Sequence, residues 1–177
     1  MVMRLRVADS GDIPALQALI TRSGLGLSEP FYTREQAAAV TRNVFGVDTQ
    51  LVIDQTYLLI ESPEAIVACG GWSKRRTLFG GDQTKRGEDP LLDPTTEPAR
   101  IRAFFVDPAM ARRGLARQLL AECVEQARAA GFTALELAST LPGEPLYLAC
   151  GFEVIERFEL SLPDSIRVPL TRMRRSI

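Results

Sequence analysis

FFVDPAMARRGLARQLLAECV, residues 104–124, joins two kinds of chain end to end. Phe104, Phe105 and Val106 are bulky and β-prone, and Asp107-Pro108 closes that run. From Gly114 onward Leu115, Leu119, Leu120, Cys123, Val124 and Ala127 recur at helical spacing, and Gly131 supplies a stop. A strand that ends at Pro108 and resumes as a helix near Gly114 leaves a loop aimed at the helix N-terminus. The first amides of that helix have no intrahelical acceptor, and the aligned peptide dipoles make that end positive. Gly114 lets a ligand approach the backbone, Ala116 keeps the next approach point small, and Arg112, Arg113 and Arg117 add charge. The segment therefore predicts a phosphate or pyrophosphate site, although an ordinary connection with solvated arginines fits the same residues. No Gly-Lys-Ser/Thr follows, so it is not a P-loop, and it lacks the G-x-G-x-x-G dinucleotide fingerprint.

Working outward, MRLRVA (3–8) alternates as a first strand. Asp9, Ser10 and Asp12 are capping candidates and Pro14 suits a first helical turn. Ile13, Leu16, Leu19 and Ile20 give that helix an apolar stripe, and Gly24 and Gly26 are expected to break it. GLGLSEP at 24–30 reads as a turn. Thr33 and Gln36 form a capping box for a second helix over 33–45. TYLLIES and AIVACGGWSK, separated by SPE, predict a hairpin. Residues 75–97 are rich in Gly, Pro, Asp and Lys and too long for an ordinary turn, so a functional or mobile loop is expected there. ARIRAFFV restores a strand, TALELAS gives another, EPLYLAC a short helix and FEVIERFELSL a long strand. IRVPLTRMRR completes the chain as an edge strand, where Pro169 is tolerated. The order β-α-α-β-β-β-α-β-α-β-β predicts one α/β (α+β) domain over residues 1–177, a mixed sheet flanked by helices.

Composition narrows the chemistry. The 21 basic and 22 acidic residues leave a net charge of −1, which favours neither nucleic acid nor an anionic membrane as a partner. Arg172, Arg174 and Arg175 are too few to alter that and read as a solvated strand edge. No apolar run reaches the ~18 residues of a membrane helix and no signal peptide opens the chain, so a cytoplasmic protein is expected. Cys69, Cys123 and Cys150 are odd in number and widely spaced, which predicts buried free thiols rather than disulfides or a metal knuckle. The chain has 0 histidines. A Ser-His-Asp or Cys-His arrangement is thereby excluded, no metal is expected, and acid–base work falls to Asp, Glu, Tyr, Cys, Lys or water.

With VDPAMARRGLARQLL and, downstream, LYLACGF (146–152) in this element order, the sequence resembles the GNAT superfamily of N-acetyltransferases over nearly its whole length. The family's pyrophosphate motif, Arg/Gln-x-x-Gly-x-Gly/Ala, is here Ala111-Arg112-Arg113-Gly114-Leu115-Ala116, with alanine in the first place. Its Tyr-x-x-x-Gly-Phe pattern is complete as Tyr147, Gly151 and Phe152. The resemblance implies a mostly antiparallel GNAT-like sheet and acetyl-coenzyme A as acyl donor. It implies that main-chain groups of Phe104, Phe105 and Val106 pair with the pantetheine arm. Amides of Arg112, Arg113, Gly114, Leu115, Ala116 and Arg117 would hold the pyrophosphate. Tyr147 aligns with the general acid that protonates the departing thiolate, a role suited to a phenol of pKa ~10; a packed tyrosine on a short helix is the other reading.

The sequence also departs from the family. Many relatives carry an asparagine where Thr140 stands, and a hydroxyl there still donates one hydrogen bond. Some carry a glutamate where Arg100 stands, so the base is unassigned: Glu97, Glu136 and Glu144 are candidates, each also readable as structural, and water is an alternative. Cys150 has no adjacent cation and reads as packing. Trp72 fits an acceptor pocket or the core; Phe31 and Tyr32 fit acceptor contact or a staple. The implied activity is acetyl transfer to a primary amine, small-molecule or peptide, in a ternary complex, with a homodimer as the family's habit. A non-catalytic acyl-coenzyme A sensing module and transfer of another acyl group are the alternatives.

Overall fold

IVACGGWS has a single polar residue, at its end, and a strand of that composition is stable only when covered on both faces. In the computed structural model, which describes residues 2–177, it is β3 (Ile66–Ser73), and all eight of its residues are buried. β3 lies within a seven-stranded sheet in the order β1 (Arg4–Val7), β2 (Tyr57–Glu61), β3, β4 (Ala99–Val106), β5 (Ala134–Thr140), β7 (Arg167–Ser176) and β6 (Glu153–Ser161). Every neighbouring pair is antiparallel except β4 and β5.

Side-chain alternation sorts the core into layers. Leu58 and Ile60 of β2 face α4 (Leu115–Ala129), whose Leu119, Leu120, Cys123 and Ala127 are buried against them, whereas Tyr57 and Leu59 face the other side. There they meet α1 (Ile13–Gly26) through Leu16, Leu19 and Ile20, and α3 (Thr49–Ile53) through Leu51 and Val52. A fully buried leucine of this kind contributes about 2 kcal/mol relative to an exposed one. α2 (Arg34–Asn43) buries Ala37 and Val40 against Val168 and Leu170 of β7, and Thr33 and Gln36 make its capping box. α5 (Glu144–Ala149) joins β5 to β6.

Several sequence expectations change. α3 is an additional helix, five residues long, too short to display a 3.6-residue period. Gly24 and Gly26 do not break α1; they form its last turn. A Cβ on Gly24 would lie 2.6 Å from Thr41, and one on Gly26 2.5 Å from Pro108, so both are glycines of close approach. β7 is interior and β6 is the edge, so Arg172, Arg174 and Arg175 lie on a paired strand. Pro169 is tolerated because it lies one residue past the last β5–β7 pair, Thr140 with Leu170.

The 75–97 segment is tied down rather than loose. Arg75 pairs with Asp54 at 2.7 Å, Lys85 pairs with Asp48, and Asp89 receives Arg102 of β4 at 3.1 Å. Of the two expectations for this segment, a mobile loop does not fit these ion pairs, which its charged composition supplies.

Candidate active site

β4 and β5 are paired at Ala99–Leu135 and Arg100–Glu136 only. Beyond those residues the parallel strands part, and 101–106 and 137–140 flank an opening with no strand between them. Ala103, at φ 57°, lies where the β3–β4 register shifts between Cys69 and Gly71, a bulge that turns the end of β4. The parting and the bulge open a cavity of about 860 Å³, within the range of about 300–1,000 Å³ typical of small-ligand sites. Phe104, Phe105 and Val106 line it. The Phe104 ring stands edge-on to Tyr147 at 6.3 Å, and Phe105 meets Phe45 at 5.1 Å.

The loop from 107 to 114 forms one end of this cavity. Asp107 accepts the Ala109 amide at 2.9 Å and is held by Arg22 at 3.0 Å, which fixes the turn at Pro108–Met110. Arg112 then takes φ 65° and Gly114 φ 82°, left-handed conformations that swing the chain into α4. No backbone carbonyl among the described residues accepts from the amides of Arg112 to Arg117. Space around Gly114 is open: a Cβ built there meets nothing within 4 Å. Ala111, Arg112, Gly114, Leu115, Ala116 and Arg117 line the cavity, whereas Arg113 does not. Free amides, a helix N-terminus and the Arg112 and Arg117 guanidinium groups are the donor set that would suit a pyrophosphate.

Tyr147 reaches the same cavity from α5. Its side chain is packed edge-on against Phe152 at 5.5 Å as well as Phe104, and no described residue hydrogen-bonds its hydroxyl. Burial pushes the phenol well above its ordinary pKa, with smaller contributions from Cys123 and Cys150. The side chain is thus held as a neutral donor. Thr140 also lines the cavity, and its Oγ1 accepts the Gly143 amide at 3.3 Å.

The three expected carboxylates are elsewhere and engaged. Glu97 faces Arg76 at 3.3 Å and accepts the Asp93 amide at 2.8 Å. Glu136 is buried between Arg172 at 2.5 Å and Arg100 at 3.6 Å. Glu144 accepts from Arg157 at 2.6 Å and Thr171 at 2.7 Å, and the Arg157 hydrogen bonds hold its pKa below the usual carboxylate range. None of them lines the cavity; Glu29 does. Nothing in the sequence marks Glu29, a turn residue ahead of Pro30. Arg100 is partly buried, and desolvation lowers its pKa, so a cation rather than a carboxylate stands at this place on β4.

Trp72 lies outside the cavity: its indole donates to Gln126 at 3.0 Å and meets Phe132 at 6.0 Å, a core role. Phe31 and Tyr32 both line the cavity. The Tyr32 hydroxyl donates to the Pro169 carbonyl at 2.7 Å and accepts the Leu141 amide at 3.0 Å, and burial raises its pKa to about 12. Cys69 and Cys123 are buried, with Cys69 pushed up to about 12 by burial, while Cys150 is only partly buried. No described helix is long and apolar enough to cross a membrane.

Solved structures that share this architecture include N-acetyltransferases and acetyltransferases. A GCN5-related N-acetyltransferase from Rhodopseudomonas palustris superposes with TM-score 0.71 at 17% identity, covering 100% of this chain and 99% of its own. The PaiA N-acetyltransferase of Thermoplasma acidophilum, in complex with coenzyme A, gives 0.67 at 12% identity, covering 100% of both chains. YncA of Salmonella typhimurium, with its cofactor acetyl-CoA, gives 0.65 at 16%, covering 99% of this chain and 94% of its own. No curated protein matches the chain in sequence. The splayed β4–β5 pair and the glycine-led α4 thus define an acetyltransferase fold. The chain belongs to the acetyltransferase (GNAT) family, whose model matches residues 27–152.

Proposed function

We propose that this protein transfers the acetyl group of acetyl-coenzyme A to a primary amine by direct attack in a ternary complex. The observation that carries the reading is the Tyr147 hydroxyl, unbonded by protein and held neutral in the cavity that the Gly114 loop closes. The residues present suit the donor. The amides of 112–117, with Arg112 and Arg117, match its pyrophosphate, and the unpaired inner edge of β4 matches its amide-bearing arm. When bound, the thioester supplies an electrophilic carbonyl and a thiol leaving group. The coenzyme A-bound PaiA and acetyl-CoA-bound YncA structures support this choice of donor.

The chain's own part is positioning and proton transfer. Bringing the amine and thioester together between the splayed strands makes attack effectively unimolecular. A C–N bond forms and the C–S bond breaks; Tyr147 gives its proton to the departing sulfur, the attacking nitrogen gives one up to solvent in the open cavity, and solvent returns a proton to the Tyr147 phenolate. Glu97, Glu136 and Glu144 are engaged elsewhere, so the proton acceptor in this reading is solvent, with Glu29 the one carboxylate at the cavity.

Thiol release from acetyl-coenzyme A across a broad amine panel tests the reading. Acceptor-dependent release supports it. Calorimetric binding of acetyl-coenzyme A without release by any amine would instead identify a sensing module.

A further inference from the structure

Beyond the anion loop the cavity changes character. Its far wall is built by Phe31 and Tyr32 after α1, Val44 and Phe45 after α2, Phe79 of the 75–97 segment and Leu170 of β7. The Phe45 ring is set edge-on against Phe105 at 5.1 Å, and Phe79 lies 6.2 Å from Phe158, so the wall is a packed apolar surface.

The hydroxyls in this half each have a partner within the protein. Both capacities of the Tyr32 hydroxyl are used by Pro169 and Leu141. Ser28 donates to the Gly24 carbonyl, Ser139 to the Thr140 carbonyl at 2.7 Å, and Ser23 accepts the Val106 amide at 3.2 Å. A hydroxyl-rich acceptor would lose water here and find few partners in return.

Charge points the same way. Arg102, the basic residue of this wall, pairs with Asp48 and Asp89 at 3.1 Å each; its side chain is 1% exposed and its one unpartnered nitrogen, Nε, is buried. It is closed to the carboxylate of an amino acid. Glu29 is the one carboxylate lining the cavity, with a 67% exposed side chain and Arg34 3.7 Å away. A single carboxylate complements a single ammonium, whereas a polyamine would bring cations with no counterpart.

We propose that the acceptor is a primary amine on an aromatic or branched aliphatic body, bearing neither a carboxylate nor a second cation. The inference rests on the acetyl-transfer reading. The body lies against Phe45 and Phe79 while the amine points toward the Tyr147 end.

The test measures thiol release from acetyl-coenzyme A with 2-phenylethylamine, isopentylamine, phenylalanine, spermidine, an aminoglycoside and an alanine-initiated tripeptide. The first two should exceed the others by about a hundredfold in kcat/KM. Preferred turnover of the polyamine, the aminoglycoside or the peptide would overturn this proposal and leave acetyl transfer standing. Calorimetry of 2-phenylethylamine against the coenzyme A-loaded protein separates the two readings: binding without turnover keeps the acceptor class and sinks transfer, while neither binding nor turnover sinks the acceptor class. Phe79→Leu and Phe79→Ala should raise KM for 2-phenylethylamine, the alanine by about tenfold, without changing coenzyme A affinity. An unchanged KM in both would overturn the placement.

Discussion

Arg102 of β4 and Asp48, just ahead of α3, meet at 3.1 Å with side chains 1% and 0% exposed. The pair joins the strand that borders the cavity to the connection after α2. Because Lys85 reaches Asp48 and Asp89 reaches Arg102, the pair also clamps the segment that carries Phe79, Gly80 and Gly81 into the cavity wall. Asp48→Asn leaves buried cations short of a counter-charge, and is expected to cost about 3–5 kcal/mol. Urea unfolding checks it; a loss under about 1 kcal/mol would show that the cluster does not hold the segment.

Gly114 combines a left-handed backbone with open space around it, and in the proposed function that space admits the pyrophosphate. Gly114→Ala forces a Cβ into φ 82° and is expected to cost about 1 kcal/mol of stability, with coenzyme A affinity down about tenfold. Gly114→Glu adds a carboxylate facing the pyrophosphate cradle and should abolish binding. Calorimetry with acetyl-coenzyme A reads both variants, and wild-type affinity in the glutamate variant would refute the cradle.

Tyr147→Phe keeps the ring against Phe104 and Phe152 and removes only the proton donor. Expected is a fall in kcat of about a hundredfold or more, with coenzyme A affinity unchanged. Since burial raises the phenol's pKa, the donor stays protonated through neutral and mildly alkaline pH. Wild-type rate should therefore climb as the amine loses its proton and show no descending limb below about pH 10. A descending limb near neutrality that vanishes in Tyr147→Phe would contradict the raised pKa, and a Tyr147→Phe rate equal to wild type would contradict the proton-donor role.

Glu144 anchors α5 to β6 and β7 through Arg157 and Thr171. Its folded pKa is depressed, foremost by Arg157, so its contribution is complete above the unfolded value of about 4.3. That contribution disappears as pH falls through the lower, folded value. Thermal midpoints measured from pH 7 to pH 2 should fall on the acid side, and Glu144→Gln should flatten that fall. An equally steep acid limb in the variant would remove Glu144 from the account.

Short-range signals carried most of the fold. The stripe of α4, the capping box at Thr33 and Gln36, the continuous apolar run of β3 and the loop at Gly114 all rest on neighbouring residues, because hydrophobic period, caps and turns are local properties; Tyr147 is singled out by the family resemblance instead. The tertiary structure alone decided which charges were spent. Glu136 and Arg172 are 36 residues apart, and Arg102 and Asp48 are 54 apart, so neither pairing has a local signature. The same reason hid Glu29, made β7 an interior strand and turned a polar, glycine-rich segment into a pinned wall. The sequence by itself determined most of the elements and the glycine-led loop ahead of α4. Packing determined where β4 and β5 part and which polar groups remain free there, because both depend on partners brought together only when the sheet closes.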